Sequence, residues 1–162
     1  MKNTVKVGIA DMSVVTGEDE LVTFALGSCV AICLHDAERN VAGMAHIMLP
    51  DSRLLACGKS QPLKFADTAL IELVKAMQFK GARAAVLTAK IAGGAQMFAV
   101  TANSPLGNIG LRNTQAVKAG LARFHIPILV EDTGKDYGRT CYFDAPTGTM
   151  LIRSVLNGEW RF

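Results

Sequence analysis

The sequence predicts an α/β layered domain in which helices pack on a mixed or antiparallel β-sheet. Three observations lead to this fold class: many short strand-like runs, two stretches with helical spacing of apolar residues, and strand runs that are apolar on both faces. Strands of the last kind are covered on both sides, by helices or by a second sheet. A chain of 162 residues that is 50% hydrophobic is expected to form one domain over residues 1–162.

The first half of the chain is rich in strand signals. Val5, Val7 and Ile9 alternate with other residues at the period of a half-buried strand, and residues 21–26 form a second apolar run.

The next two runs, 30–35 and 41–49, flank the polar segment 36–40. A polar turn between two β-rich runs predicts a hairpin.

The clearest helix signal follows a loop predicted at 51–61. Apolar residues recur at helical spacing from Phe65 to Met77, Pro62 suits a first helical turn, and Gly81 suits the end of the helix.

The remaining elements are predicted from similar signals. Asn113 is a plausible N-cap for a second helix, and Pro127 closes it before the next strand. These elements are a strand at 84–89, the helix at 114–124, a strand at 128–130 and a hairpin of strands at 139–143 and 149–155.

Charge and composition exclude several functions. The 17 basic and 14 acidic residues give a net charge of +3 without a Lys/Arg block, which argues against nucleic-acid binding. The N-terminal residues lack the apolar core of a secretory signal, so we expect a cytoplasmic protein. The longest apolar region, 21–34, is too short and too interrupted for membrane insertion.

The four cysteines do not form a metal-binding or disulfide pattern. In a cytosolic chain they are expected to stay reduced, and their spacing includes no Cys-x-x-Cys pair. We therefore expect no metal site and no cofactor. The cysteines are Cys29, Cys33, Cys57 and Cys141.

One cysteine and one histidine draw attention because the predicted hairpin aligns them. If the hairpin closes symmetrically about Ala37 and Glu38, Cys29 lies directly opposite His46. Opposed residues share one face, with Cβ atoms ~4.5–5.5 Å apart, which allows a thiol to hydrogen-bond to an imidazole. A histidine in that position can take the thiol proton and leave a thiolate–imidazolium pair.

Two further features would complete a nucleophilic site. Thr23 is the nearest polar residue on the preceding strand that could orient the imidazole of His46. Gly27 and Ser28 predict a tight turn before Cys29, whose backbone N–H groups could stabilise an oxyanion.

The alternative is that Cys29 and His46 are ordinary buried residues. Cysteine is among the most frequently buried residue types, and a single Cys with a distant His has low specificity as a signal. Taken alone, the pair is more often structural than catalytic. The glycines at 93–94 and 107–110 lack the remaining residues of phosphate or dinucleotide motifs and are interpreted as turns.

Five motifs in series are more specific than the pair. The segments TFALGSC, HIMLP, KIAGGAQMF, IGLRN and GRTCYFDAPTGTMLIR occur in this order between about Val5 and Arg153. Together they resemble the chemoreceptor glutamine deamidase family, CheD.

The resemblance implies a fold similar to the catalytic domain of Rho-deamidating bacterial toxins and a catalytic site of Cys29, His46 and Thr23. It also implies that the substrates are glutamine side chains on the cytoplasmic helices of chemotaxis receptors. A CheC-type phosphatase is an implied candidate partner.

Two other functions remain open at this stage. A non-catalytic adaptor could bind receptors or a CheC-type phosphatase without needing a thiol or an imidazole. A cysteine hydrolase or transglutaminase acting on other proteins would use the same site.

Overall fold

Two stacked β-sheets and a layer of helices make up the computed structural model, which describes residues 1–98 and 107–162. The outer sheet has the strand order β1-β3-β8-β9-β10 within these residues. Its strands are β1 (Thr4–Lys6), β3 (Glu20–Leu26), β8 (Arg139–Asp144), β9 (Met150–Ser154) and β10 (Gly158–Arg161). The parallel pairing of β1 with β3 makes this sheet mixed.

The central sheet lies between the outer sheet and the helices. Its strand order is β2-β5-β4-β6-β7, and the parallel pairing of β6 with β7 makes it mixed as well. The strands are β2 (Asp11–Thr16), β4 (Val30–Asp36), β5 (Val41–Ile47), β6 (Thr88–Gly93) and β7 (Ile128–Thr133).

The helices α1 (Ala66–Phe79) and α2 (Ile109–Arg123) cover the other face of the central sheet. Helix α1 approaches β5 closely at Gly43, where a Cβ would lie 2.5 Å from the sulfur of Met77. A larger residue at this position would force the side chains of Met77 and Leu73 to shift. No helix in the described ranges is long and apolar enough to span a membrane.

The α/β class and the layered arrangement are confirmed, but the single sheet is wrong. Strand β2 and strand β10 fall in segments where no strand was predicted, and the strands are divided between two sheets. The double-sided burial of β4 and β5 thus has two sources: helices on one face and a second sheet on the other. The apolar pattern of a strand indicates that both of its faces are buried, but it does not indicate which elements cover them.

Two element boundaries also differ from the sequence prediction. Residues Ala84–Val86 form a 3₁₀ turn instead of a strand, and β6 begins at Thr88. Helix α2 begins after Asn108, whose side chain accepts a hydrogen bond from Leu111 N. Asn113 is therefore inside the helix and is not its N-cap.

Candidate active site

The predicted site residues lie at one end of the interface between the two sheets. Thr23 is in β3 of the outer sheet, and His46 is near the end of β5 in the central sheet. Cys29 is in the turn that carries the chain from one sheet to the other, directly before β4. Thr23 and His46 are fully buried, whereas Cys29 is partly exposed.

The predicted hairpin is present, but its register is shifted. His46 pairs with Ala31, not with Cys29. The last pair before the turn is Asp36 with Val41, so the turn is centred one residue later than predicted. The cause is the side chain of Asp36, whose Oδ1 accepts hydrogen bonds from two backbone N–H groups of the turn, those of Glu38 and Arg39.

The shift preserves the face on which the two residues lie. A slip of two positions keeps every side chain on its original side of the sheet. Cys29 packs with Ala31 and Cys33 in the cluster between the sheets, and His46 is bonded to a residue of the opposing sheet. In a regular ladder such diagonal neighbours are ~7–8 Å apart, within reach of a ring and a thiol that point toward each other.

Thr23 fixes the tautomer of His46. Its hydroxyl donates to Val7 O at 2.7 Å, and the same oxygen lies 2.7 Å from His46 Nδ1. Because the single hydroxyl proton goes to Val7, the oxygen must accept from the ring, so Nδ1 carries the hydrogen. Nε2 is then the basic nitrogen.

The second ring nitrogen of His46 is buried and has no hydrogen-bond partner among the described residues. An unpaired polar atom in such a position normally requires an explanation, and a reacting group is one. Burial lowers the pKa of His46 from 6.5 to about 4, so the ring is neutral at pH 7. A neutral imidazole can accept a proton at Nε2.

Burial acts in the opposite direction on the thiol. It raises the pKa of Cys29, and the residue's own backbone N–H only partly offsets the effect. Both shifts favour a neutral thiol and a neutral imidazole in the resting protein. The thiolate–imidazolium pair expected from the sequence is therefore not the favoured resting state, and the proton is expected to move only as a substrate is attacked.

The turn containing Gly27 and Ser28 is held by hydrogen bonds to three consecutive carbonyl groups. Gly27 O accepts from Ala95 N at 2.9 Å, Ser28 O from Asn113 Nδ2 at 3.0 Å, and Cys29 O from Gly94 N at 2.8 Å. Gly93 has φ +111°, and a Cβ there would lie 2.2 Å from Cys29 O, so only glycine fits beside the turn.

Comparison with known proteins supports the family resemblance that the five sequence motifs indicate. A family model described as CheD chemotactic sensory transduction matches residues 48–154. A protein of Halalkalibacterium halodurans named chemoreceptor glutamine deamidase CheD is 49% identical over 162 residues, covering 98% of each chain. The chain belongs to the CheD family.

Two further CheD relatives are similar over nearly their full length. A probable chemoreceptor glutamine deamidase CheD of Lachnoclostridium phytofermentans is 46% identical over 155 residues, or 96% of each chain. One of Syntrophomonas wolfei with the same name is 45% identical over 159 residues, or 98% of each chain. These matches confirm the family resemblance found in the sequence motifs.

Asn113, predicted from the sequence as a helix N-cap, lies instead beside the Cys29 turn. Asn113 is fully buried, and its side chain contacts both the Cys29 turn and the end of β5. A signal was available: extending the helical spacing backward from Val117 puts Asn113 on the buried face of α2. The glycines at 93–94, interpreted as a turn, are in fact the backbone that supports Cys29.

The described part of the chain contains no group of three or more His, Cys, Asp or Glu side chains that could hold a metal ion. The four cysteines are free thiols.

Proposed function

We propose that this chain is a protein-glutamine deamidase that converts glutamine side chains of chemotaxis receptors to glutamate and releases ammonia. The observation that carries the proposal is the state of His46: Nδ1 is bonded to Thr23, and Nε2 is unbonded on the face that also carries Cys29. Membership of the CheD family, whose relatives are named chemoreceptor glutamine deamidases, supports the choice of substrate.

The first half of the proposed reaction forms a thioester. Cys29 Sγ attacks the carboxamide carbon while His46 Nε2 takes the thiol proton. Backbone N–H groups of Ser28 and Cys29 stabilise the resulting oxyanion. The carbon–nitrogen bond then breaks as His46 returns the proton to the leaving nitrogen, and ammonia departs. A ring with a pKa of about 4 gives up this proton readily.

The second half hydrolyses the thioester. His46 Nε2 takes a proton from water, the resulting hydroxide adds to the thioester carbon, and the carbon–sulfur bond breaks. The proton returns to sulfur, so glutamate and the free thiol of Cys29 are restored. Throughout, Thr23 keeps Nδ1 protonated and the ring in place.

The substrate class determines the remaining proposals. Each reaction replaces a neutral amide with a carboxylate on a packed receptor helix, where added negative charge changes the repulsion between helices. We place the protein in the cytoplasm, where these helices lie, with a CheC-type phosphatase as a candidate partner. Kinship of the fold with Rho-deamidating toxin domains is also proposed, on the shared reaction and the β-rich layered architecture.

The test compares Cys29→Ala with Cys57→Ala, which removes another partly exposed thiol distant in sequence from the turn. Each protein is incubated with a receptor cytoplasmic fragment, and ammonia release and glutamine-to-glutamate conversion are measured by coupled assay and mass spectrometry. We expect the Cys29 variant to lose all turnover because no thioester can form, and the Cys57 variant to match the wild type.

Three results would contradict the proposal. Turnover by Cys29→Ala at the wild-type rate would remove the nucleophile assignment. A wild-type protein that binds the receptor fragment but leaves every amide intact would be an adaptor, and crosslinks to an added primary amine would instead indicate a transglutaminase.

A further inference from the structure

Asn113 occupies an unusual position in the network around the Cys29 turn. Of the three turn carbonyls that are held by hydrogen bonds, those of Gly27 and Cys29 are bonded to backbone N–H groups. Only the middle one, Ser28 O, is held by a side chain, the amide of Asn113, from a residue 85 positions away in the sequence. The orientation of one peptide group beside the thiol thus depends on a single side chain.

The contacts of Asn113 determine how its amide is oriented. Nδ2 donates to Ser28 O at 3.0 Å and to Met48 O at 2.9 Å. Because both partners are carbonyl oxygens, the donor end of the amide must face them. Both hydrogens of the amide nitrogen are used.

Met48, the second hydrogen-bond partner of Asn113, lies in a segment that other hydrogen bonds hold in place. Met48 N and Leu49 N both donate to Lys64 O, which fastens the end of β5 independently of Asn113. Asn113 is itself fully buried in α2. The amide therefore ties the Ser28 carbonyl to a strand end that is already held in place.

The planarity of the peptide bond turns this contact into a constraint on catalysis. In a trans peptide the C=O of one residue and the N–H of the next point in opposite directions. When Asn113 holds Ser28 O, the N–H of Cys29 points in the opposite direction within the same peptide plane. We propose that Asn113 is a positioning residue that aims the Cys29 N–H at the oxyanion formed during attack by the thiol.

This role rests on the proposed deamidase reaction and extends it to a residue on the helix layer. It differs from a packing role, because a packing residue at a buried helical position needs volume but no donor. Val117 and Leu121, which follow Asn113 on the buried face of α2, are apolar, and the buried hydroxyl of Thr114 donates within the helix, to Gly110 O. Asparagine is also a poor helix former, so the position gains nothing from its helix propensity.

The test uses two substitutions that separate the donor from the volume. Asn113→Leu fills the site but cannot donate, whereas Asn113→Ala leaves room for a water that can bridge the two carbonyls. We expect kcat for ammonia release to fall about 100-fold in the leucine variant and about 10-fold in the alanine variant, with KM changed less than about threefold. The matched control, Val117→Ala, weakens the packing of α2 and should keep the wild-type kcat.

Alkylation of the thiol by iodoacetamide provides the second measurement. Alkylation displaces iodide at a saturated carbon and forms no oxyanion, so it should proceed in both Asn113 variants within about twofold of the wild-type rate. Circular dichroism establishes that each variant is folded. If the leucine variant does not fold, the alanine variant and its ratio of kcat to alkylation rate decide the question.

Several outcomes would overturn the positioning role. These are a leucine variant with kcat within threefold of wild type, an alanine variant more impaired than the leucine variant, and a fall in alkylation parallel to the fall in kcat. If the wild type releases no ammonia from receptors, the deamidase proposal fails. The same comparison is then made on acylation of Cys29 by p-nitrophenyl acetate, which also passes through a tetrahedral oxyanion and releases nitrophenolate.

Discussion

The two faces of the central sheet carry different side chains although the same strands supply both. On β4, the face toward the helices carries Val30, Ile32 and Leu34, whereas the face toward the outer sheet carries Ala31 and Cys33. The first set makes a thick aliphatic layer beneath α1 and α2. The second set is small, which leaves space between the sheets for larger side chains of the outer sheet and for the hydrogen-bonded Thr23 and His46.

The space between the sheets is where buried polar atoms meet. Thr23 of the outer sheet bonds to His46 of the central sheet, and the same hydroxyl donates to Val7 O. Burying such groups is costly unless they are hydrogen-bonded, and a bond across the interface provides the partner. Apart from Asn113, the helix-facing side is therefore expected to determine stability, and the inter-sheet side to determine chemistry.

The largest effect is expected on the helix-facing side. Leu73→Ala removes a fully buried side chain of α1 and should lower the free energy of unfolding by about 2–5 kcal/mol, because a cavity remains. Urea unfolding measures this change. The kcat of the folded protein should stay at the wild-type value.

The control for Leu73→Ala is Ile71→Ala on the same helix, where the side chain is 43% exposed and a much smaller loss of stability is expected. The division between the two faces would be wrong if Leu73→Ala changed kcat in protein shown to be folded.

A pH-dependent effect of similar size is expected on the inter-sheet side. The folded protein keeps His46 neutral down to about pH 4, whereas the unfolded chain takes up a proton below about 6.5. Stability from this residue is therefore present above pH 6.5 and is lost as the pH falls toward 4. The difference between the two pKa values corresponds to roughly 3 kcal/mol.

Urea unfolding between pH 7 and pH 4 measures this dependence, with His46→Gln as the comparison because glutamine does not titrate. The variant should lack the part of the pH dependence that belongs to His46. Identical slopes for both proteins would mean that the ring is not held neutral in the fold.

The smallest effect is expected for Thr23→Val, which keeps the shape of the side chain and removes the hydroxyl. His46 Nδ1 would lose its acceptor, and the ring would no longer be restricted to the tautomer with a free Nε2. We expect kcat to fall ~10-fold, less than the ~100-fold lower limit for losing positioned proton transfer itself, because the imidazole is still present. Thr16→Val, at an exposed position of β2, is the control.

Measurements on Thr23→Val also test the division between the two faces of the central sheet. A variant with wild-type kcat would show that packing alone orients the ring. A loss of stability without a loss of kcat would place Thr23 with the structural residues.

Some elements could be predicted from the sequence because their signals are local. Helix α1 was recognised from spacing alone, although it starts at Ala66 because the segment from Pro62 forms a separate 3₁₀ turn. The β4–β5 hairpin was recognised from its two apolar runs, but its register was not. The register depends on hydrogen bonds from the turn to the side chain of Asp36, and the hydrophobic pattern does not predict these bonds.

The family and the available chemical groups follow from the sequence alone: a thiol after a Gly-Ser turn, an imidazole in a later strand, and a hydroxyl before both. It also follows that Cys29 and His46 share a face, because a slip of two residues leaves the alternation of a strand unchanged. The contact of Thr23 with His46, made by the second sheet, and that of Asn113 with Ser28, made by α2, became known from the three-dimensional structure. These contacts join residues that are 23 and 85 positions apart in the sequence. They form only when the sheets and the helix layer are stacked, so a local sequence pattern does not predict them.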